Sequence, residues 1–385
     1  MNSEEYTSIS LETFQKLSTI IEQDQTDNTF KYALLRATSE ICQDNTHLIK
    51  FDDKKATIPI GLLVEKWLFY YWPIFEYQPY IPQMPERYHG ERRLRLQFRD
   101  QLHEVINYYK NGNGISEFYN DYLTNQIPSN LEKKLMSLFK KIRWLIQRYP
   151  MKHLGKSVYD NYYKVFKPNK PLPDPRKPIS RDLLIEEFGT FSISLDYYRV
   201  FNVLGGYVIG DQSIITQWAK LTEKFTNQNP NFSEIQTLLM EYPVTERQVQ
   251  KVRTYYETLL DVKGLNCTWS GKPIHFPSEL HIDHMFPFAK YRNNDLWNLV
   301  PTLKHVNSRK GDRIPSPKLL TRRRTLIHEH WEKMKSKYTA QFESEIKMSL
   351  IGYEQEIHSL NEIFTAILEK SKYLINFRRY KHWDG

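Results

Sequence analysis

The sequence is poor in cysteine, with only Cys42 and Cys267 among its 385 residues. Two thiols exclude a disulfide framework, and they cannot build a four-thiolate zinc site within one chain. Long apolar runs are also missing, since the most apolar stretch, residues 67–75, is half the ~20 residues that a membrane span needs. The chain starts Met-Asn-Ser-Glu-Glu, without the basic segment and apolar run of a signal peptide. These absences predict a cytoplasmic protein that does not cross a membrane.

The overall composition is that of a folded protein. Hydrophobic residues make up 40% of the chain, charged residues 26% and aromatic residues 14%, so there is ample apolar surface to bury. Lys and Arg together number 54 against 45 acidic residues, which gives a formal net charge of +9. A positive balance favours a polyanionic partner such as nucleic acid but does not by itself establish one.

Most of the chain shows helical periodicity. Apolar residues recur at helical spacing over 11–22, 30–42, 62–75, 130–148, 213–225, 245–262, about 327–346 and about 354–375. The stretch 62–75 should end near Pro73, and Thr245 with Gln248 resembles a capping box. The apolar stripe after residue 327 packs in a core or forms a dimer interface.

Two basic segments in the amino-terminal half allow two interpretations each. Arg92, Arg93, Arg95 and Arg99 face either a phosphate backbone or the solvent. Lysines and an arginine between residues 133 and 143 lie mainly off the apolar stripe of the 130–148 helix. An ordinary solvated face explains them as well as a face that binds nucleic acid.

Proline and turn-forming residues mark the domain boundaries. Five prolines between Lys167 and Pro178 predict an extended, semi-rigid linker. Residues 264–315 are rich in turn formers, His and Asn, and differ from the helical parts on either side. We therefore expect five segments: 1–166 (helical), 167–178 (linker), 179–263 (helical), 264–315 (a separate module) and 316–385 (carboxy-terminal helices).

The residues that can carry chemistry lie in the module at 264–315. Asp283 offers an oxygen ligand to a hard cation such as Mg²⁺, and the adjacent His284 titrates near neutral pH and can take a proton from water. Asn307 can add a neutral oxygen ligand to the same cation. Lys310 follows three residues later, so on a helix it shares a face with Asn307 and could hold a phosphate.

This pattern resembles the HNH nuclease family, whose ββα-metal fold holds one cation between two strands and a helix. The Asp283-His284 pair, the central Asn298 before Leu-Val, and Asn307-x-x-Lys310 occur in the family's order and at fitting spacings. The closest variant looks like the HNH domain of RNA-guided CRISPR nucleases, which also has Asn at the last ligand position. The resemblance implies an α+β fold that is mainly α, with a small ββα-metal module between helical amino-terminal and carboxy-terminal regions.

The resemblance also implies a role for each motif residue. His284 would be the general base, and Asp283 and Asn307 would hold Mg²⁺ or Mn²⁺ at the scissile phosphate. Asn298 would fix the loop that orients His284. Lys310, and with it Arg309, would contact phosphate. His281 shares a strand face with Asp283 and either assists the metal or only packs nearby.

One departure from the family concerns structural zinc. Many HNH domains bind zinc through two Cys-x-x-Cys pairs, which here fall on Cys267 and Ser270 and on Leu303 and Val306. One thiol cannot make that site, so we expect no structural zinc and hydrophobic packing in its place.

A basic cluster continues through and beyond the expected catalytic helix. Residues 304–324 contain eight Lys and Arg residues and a single acidic residue: Lys304, Arg309, Lys310, Arg313, Lys318, Arg322, Arg323 and Arg324, with Asp312. Such a surface next to a phosphodiester site suits a nucleic-acid path, with Lys304, Arg309, Lys310 and Arg313 nearest the site.

The leading hypothesis is a metal-dependent DNA endonuclease that nicks one strand per site. A double-strand cut would need a homodimer or two successive events. Restriction or anti-phage defence is the biological setting that the family suggests. The alternatives are a nuclease subunit directed by a guide or an ATPase partner, and a DNA-binding module without turnover.

Overall fold

The computed structural model describes residues 10–85, 88–89, 92–93, 96–123, 125–162, 164–169, 178–204, 213–226, 228–241, 249–291, 293–352, 356–376 and 378–385. The chain divides into two compact units, Met1–Pro243 and Val244–Gly385. This division differs from the expected one at 167–178, and residues 170–177 of that segment lie outside the described residues. Within the described part of the chain, no helix is both long enough and apolar enough to cross a bilayer.

The first unit is mainly helical. Its helices are α1 (Leu11–Gln23), α2 (Phe30–Asp44), α3 (Ile60–Glu76), α4 (Arg99–Tyr109), α5 (Ile115–Leu123), α6 (Ser129–Arg148), α7 (Pro150–His153), α8 (Lys156–Tyr159), α9 (Arg181–Glu187), α10 (Leu195–Leu204), α11 (Ile214–Thr226) and α12 (Phe232–Leu239). Its strands are β1 (Lys50–Phe51), β2 (Lys55–Pro59), β3 (Tyr88–His89), β4 (Arg92–Arg93), β5 (Lys167–Pro168) and β6 (Thr190–Ser194).

A small antiparallel sheet explains why the chain does not divide at the proline-rich segment. Its strand order is β1-β2-β6-β5, and Ile58 of β2 lies opposite Phe191 of β6. Strand β5, at the start of the proline-rich segment, pairs with β6, which follows that segment. The backbone hydrogen bonds of one sheet therefore hold both sides of the segment in the first unit.

Helix α3 lies in the centre of the first unit. Apolar and aromatic residues occupy every face of this helix, which is typical of a fully buried helix. The helix continues for three residues beyond Pro73 rather than ending there, because a proline in the last turn removes only one hydrogen bond. At the start of α4, Arg99 is buried and stacks on the rings of Phe75 and Tyr80, so it belongs to this core and not to an exposed basic patch.

The second unit contains the small strands and the helices that cover them. Its helices are α13 (Gln250–Lys263), α14 (Phe288–Tyr291), α15 (Lys304–Lys310), α16 (Pro317–Lys337), α17 (Thr339–Ile346) and α18 (Leu360–Asn376). Its strands are β7 (Leu265–Asn266), β8 (Pro273–Ile274), β9 (Leu280–His284), β10 (Leu299–Leu303), β11 (Ile314–Pro315) and β12 (His382–Trp383). Residues 245–248, with the capping box expected there, lie outside the described residues.

The apolar stripe after Pro317 faces the core of the second unit. Ile327, Trp331 and Met334 of α16, with Phe342 and Ile346 of α17, are fully buried in one hydrophobic cluster. The helix breaks at Tyr338, where the backbone leaves the helical region. The last helix, α18, starts at Leu360, later than its apolar pattern suggests. The protein is thus an α+β chain that is mainly α, as the sequence predicts.

Candidate active site

Two strands and a short helix form the candidate site in the second unit. Strands β9 and β10 pair antiparallel, with Val300 opposite Asp283 and Leu299 opposite His284. Helix α15 follows β10 directly, which completes a ββα arrangement. All five residues of β10 are buried because helices and strand β9 surround it, so this strand carries apolar residues almost throughout.

A tight loop between β7 and β8 brings a tryptophan to the site. The Thr268 backbone and hydroxyl both donate to the carbonyl oxygen of Pro301, which fixes the loop on β10. Gly271 has a φ of +74°, a conformation that favours glycine. As a result the buried indole of Trp269 donates from Nε1 to Asp283 Oδ2 at 2.6 Å.

The Asp283 carboxylate pairs with a buried cation. Lys310 Nζ lies 3.0 Å from the carboxylate and also donates to the carbonyl oxygen of His284 at 2.7 Å. Lys310 is 0% exposed and Asp283 is 5% exposed. The structure therefore places the Lys310 ammonium group in the interior, on Asp283, whereas the family resemblance implies a contact with phosphate.

The orientation of the His284 imidazole is fixed by a hydrogen bond at its Nε2 atom. His284 Nε2 lies 2.9 Å from Asn294 Oδ1, and the ring packs near Phe288. An amide oxygen only accepts, so this bond puts the proton on Nε2 and makes Nδ1 the basic nitrogen. His284 is 4% exposed, so only a small part of its surface meets the solvent.

Asn298 holds the backbone that follows His284. This fully buried side chain accepts from Phe286 N at 2.8 Å and donates to the carbonyl oxygens of Phe286 and Asn293. The backbone carbonyl oxygen of Asn298 accepts a hydrogen bond from Met285 N. These bonds connect the end of β9 to the loop before β10, which also carries Asn294.

Asn307 lies on the half-buried side of α15 and contacts strand β9. Its Nδ2 is 3.4 Å from Nδ1 of His281. Burial, with the nearby Arg253 and Lys304, lowers the pKa of His281, which favours the neutral ring that can accept this hydrogen bond. With Nδ2 donating to His281, the amide oxygen of Asn307 is directed elsewhere and can serve as a ligand.

The expected zinc-knuckle positions are occupied by packed side chains. Cys267, Leu303 and Val306 all belong to the hydrophobic cluster of the second unit, and Cys267 Sγ lies 3.3 Å from the Thr302 hydroxyl. The carbonyl oxygen of Ser270 accepts from Arg323. Among the residues that the structure describes, no group of three or more His, Cys, Asp or Glu side chains could hold a metal ion.

The other basic residues differ in what they face. Lys304 and Arg309 are exposed, and Lys304 lines a cavity of 740 Å³ that has neither Asp283 nor His284 in its lining. Arg313 is half-buried and donates to the carbonyl oxygens of Lys310 and Arg309 at the end of α15. Arg323 is likewise engaged in holding the Trp269 loop. The basic cluster thus divides into exposed cations and cations that hold the backbone.

Three residues that support the candidate site were not predicted from the sequence. Trp269 orients Asp283, Asn294 orients His284, and Glu345 of α17 accepts from the backbone of Leu296 in the turn before β10. Burial and the neighbouring Asp295 raise the pKa of Glu345 well above its usual value. Trp269 lies between Cys267 and Ser270, the positions of the family's first zinc-binding pair, whereas no local signal marks Asn294 or Glu345.

Comparison with known families agrees with this geometry. A family model described as HNH endonuclease matches residues 267–316, so the second unit carries an HNH endonuclease domain. A second model, a domain of unknown function (DUF8808), matches residues 10–239, and the chain belongs to that family. No curated protein matches the chain, and no solved structure matches it either. The HNH domain supports a nuclease activity in general.

Proposed function

We propose that the chain is a metal-dependent DNA endonuclease that cuts one strand at each HNH site. The observation that supports this most is the pair of adjacent residues at the end of β9. The Asp283 carboxylate and the His284 imidazole are each oriented by buried partners on different loops. Such fixed side chains are what a hydrolytic site requires, since misplaced groups cost rate.

Asp283 and Asn307 would hold a hard cation. One carboxylate and one amide oxygen suit Mg²⁺ or Mn²⁺, which keep several waters and take further ligands from a phosphate. Trp269 and Lys310 would act as the outer donors that orient the ligating carboxylate. When bound, the cation would offset the charge of the phosphodiester and stabilise the leaving alkoxide.

His284 would activate the attacking water. His284 Nε2 keeps its proton and donates a hydrogen bond to Asn294 Oδ1. Nδ1 is then the nitrogen that takes a proton from water as the nucleophile forms. Asn298 keeps the backbone after His284 in place, and the Lys310 ammonium group ties the His284 carbonyl oxygen to the Asp283 carboxylate. The ring therefore does not need to reorganise during the reaction.

Exposed cations would guide the DNA to this site. Lys304 and Arg309, at the two ends of α15, lie on the surface and would contact phosphates, with Arg313 as a weaker contributor because it folds back on the helix end. DNA as the substrate, and restriction or anti-phage defence as the setting, rest on charge and on the family analogy.

The metal requirement is tested with supercoiled plasmid. We expect nicked circles in Mg²⁺, no product in excess EDTA, and recovery when Mg²⁺ or Mn²⁺ is restored. Mn²⁺ binding, measured by electron paramagnetic resonance, should be lost in Asp283→Ala and kept in Asp312→Ala, an exposed carboxylate on the surface of the same module. Nicking that continues in EDTA would contradict the proposal.

A further inference from the structure

A second candidate site lies in the first unit. We use the name basic–aromatic surface for the side chains of Lys141, Trp144, Arg148, Lys152 and Tyr162, together with Lys156. They come from α6, α7, α8 and the segment after α8. Trp144 is 42% exposed and Tyr162 is 44% exposed, which is unusual for large rings on a surface.

Each ring is flanked by cations. Lys141 Nζ lies 4.5 Å and Arg148 Cζ 5.5 Å from the Trp144 ring centroid. These two residues precede and follow Trp144 by about one helical turn on α6, so they share its face. Their charged groups contact the ring, and within the described residues neither is paired with a carboxylate.

The second ring repeats the arrangement. Lys152 Nζ lies 5.0 Å and Lys156 Nζ 4.4 Å from the Tyr162 ring centroid. Lys156 also donates to the Tyr162 hydroxyl at 2.6 Å, and this bond lowers the pKa of Tyr162. A phenol whose pKa falls in this way lies in a positive potential.

The two rings belong to one continuous stretch of structure. The Trp144 ring contacts Tyr149 at 5.8 Å between centroids, and the Tyr162 ring contacts His153 at 5.2 Å. His153 N donates to the carbonyl oxygen of Tyr149 at 2.9 Å, so the two contact residues are one helical turn apart. The rings and their cations therefore form neighbouring parts of the same surface.

The charge of this stretch is almost entirely of one sign. Residues 140–167 contain eight Lys and Arg residues, and Asp160 is their one acidic residue. An ordinary solvated face carries both signs interspersed and few large exposed rings. The surface thus departs from a solvated face both in charge and in aromatic exposure, which favours the nucleic-acid interpretation for the part of α6 around Trp144.

We propose that the basic–aromatic surface binds single-stranded nucleic acid. The Lys and Arg side chains would turn away from the rings and bind phosphates. Unpaired bases would then stack on Trp144 and Tyr162. Duplex bases are already stacked on one another and cannot use the rings. A membrane surface fits less well, because the aliphatic residues of α6 and α7, such as Leu145, Ile146 and Met151, are buried.

Trp144 supplies a local probe for this binding. The chain has eight tryptophans, and the other seven are at most 6% exposed. Only Trp144 is thus accessible to a stacking base. We expect oligodeoxythymidylate of about 20 nucleotides to quench the fluorescence of the full chain in EDTA, and Trp144→Phe to lose most of that change. Using EDTA prevents cleavage, so the result does not depend on the HNH site.

Two sets of substitutions separate stacking from charge. Trp144→Ala with Tyr162→Ala should weaken binding of a labelled oligonucleotide about tenfold or more and leave its salt dependence unchanged. Replacement of Lys141, Arg148 and Lys152 by Glu should also weaken binding, and should reduce the slope of log K against log salt by about 2.

Matched controls are available in the first unit. Tyr108→Ala removes another exposed ring, and Lys110, Lys220 and Lys224 replaced by Glu make the same charge change at exposed sites elsewhere. Both controls should bind like the unaltered chain, and thermal unfolding shows whether each variant is folded. Equal losses in the controls would overturn the proposal, as would unchanged affinity after loss of both rings.

The nature of the ligand is tested in parallel. A duplex of matched length that quenches Trp144 as strongly as the single strand would contradict stacking. Binding to vesicles of phosphatidylserine and phosphatidylcholine, without quenching by the oligonucleotide, would identify a membrane surface and overturn the proposal.

Discussion

The buried ammonium group of Lys310 connects Asp283 and His284 of the candidate site. It bonds to the Asp283 carboxylate and to the His284 carbonyl oxygen, and it is fully buried. A buried ion pair adds little over an apolar pair, but removing one partner leaves the other charge in a medium of low polarity. The role of Lys310 in this structure is therefore to hold the site together.

Loss of the Lys310 charge should cost stability. We expect Lys310→Met to lower the free energy of unfolding by about 3–5 kcal/mol, because Asp283 then remains buried without its cation. Urea unfolding measures this change, and Arg309→Met, at an exposed neighbouring position, should change stability by about 0.5 kcal/mol or less. A phosphate-binding Lys310 would show the opposite behaviour, with lower DNA affinity and unchanged stability.

Asn294 should matter for rate and not for DNA affinity. Its amide oxygen fixes the Nε2 proton of His284, so Asn294→Ala should lower the single-turnover cleavage rate about 10- to 100-fold at saturating DNA. Asn361→Ala, at an exposed amide on α18, serves as the control. An unchanged rate in Asn294→Ala would show that the ring is oriented by other contacts.

The sequence indicates candidate site residues more readily than it indicates their surroundings. Asp283, His284, Asn298 and Asn307 stand out by residue type and by order along the chain. The spacing of Asn307 and Lys310 shows that they share a helix face, yet it does not show that Lys310 points inward. The contact of Asn294 with His284 depends on how the loop after β9 folds back, which no local pattern encodes.

At the scale of elements, helix periodicity was the most reliable signal. The apolar stripes of α6 and α16 are buried as predicted, because a helix must bury its apolar face. Helix ends were less predictable. Tyr338 interrupts the stripe between α16 and α17, where its ring packs edge-on against Tyr255, and such a tertiary contact overrides a weak local preference.

The carboxy-terminal helices support the site through specific contacts. Glu345 of α17 holds the backbone of Leu296, and Trp331 of α16 donates to the carbonyl oxygen of Trp297. Both contacts fall on the turn that leads to Asn298. The carboxy-terminal helices thus brace the 293–298 loop, a location that the sequence alone does not indicate.

Buried His330 on α16 should make the second unit sensitive to acid. Burial, with Lys333 nearby, lowers its pKa to about 3, against about 6.5 in an unfolded chain. Below pH 6.5 the unfolded chain takes up a proton that the folded chain does not bind until about pH 3. Stability contributed by the neutral ring is therefore lost as pH falls through this window, by about 1.4 kcal/mol per pH unit.

A variant isolates that contribution. His330→Leu, which keeps an apolar contact with the Tyr256 ring, should lose less stability between pH 6.5 and pH 5 than the unaltered chain. Urea unfolding at several pH values measures the difference in slope. Parallel slopes for the two proteins would mean that His330 is charged in the folded state.

At the scale of the whole molecule, the chain combines an HNH endonuclease domain with a larger helical unit of a family of unknown function. The formal net charge of +9 for the whole chain favours a polyanionic partner, but the side chains that the two units present are different. The proposed hydrolysis would use a carboxylate, an imidazole and an amide of the second unit, whereas the proposed binding would use exposed rings and cations of the first unit.

The central claim is that His284 is the base of a nuclease site, and the plasmid assay tests it most directly. Full-length chain and His284→Ala are incubated with supercoiled plasmid and Mg²⁺, beside His358→Ala, an exposed histidine of the second unit. We expect His284→Ala to nick about 100-fold more slowly or worse, with DNA affinity unchanged, and His358→Ala to behave like the unaltered chain. Nicking by His284→Ala at the unaltered rate would contradict the claim.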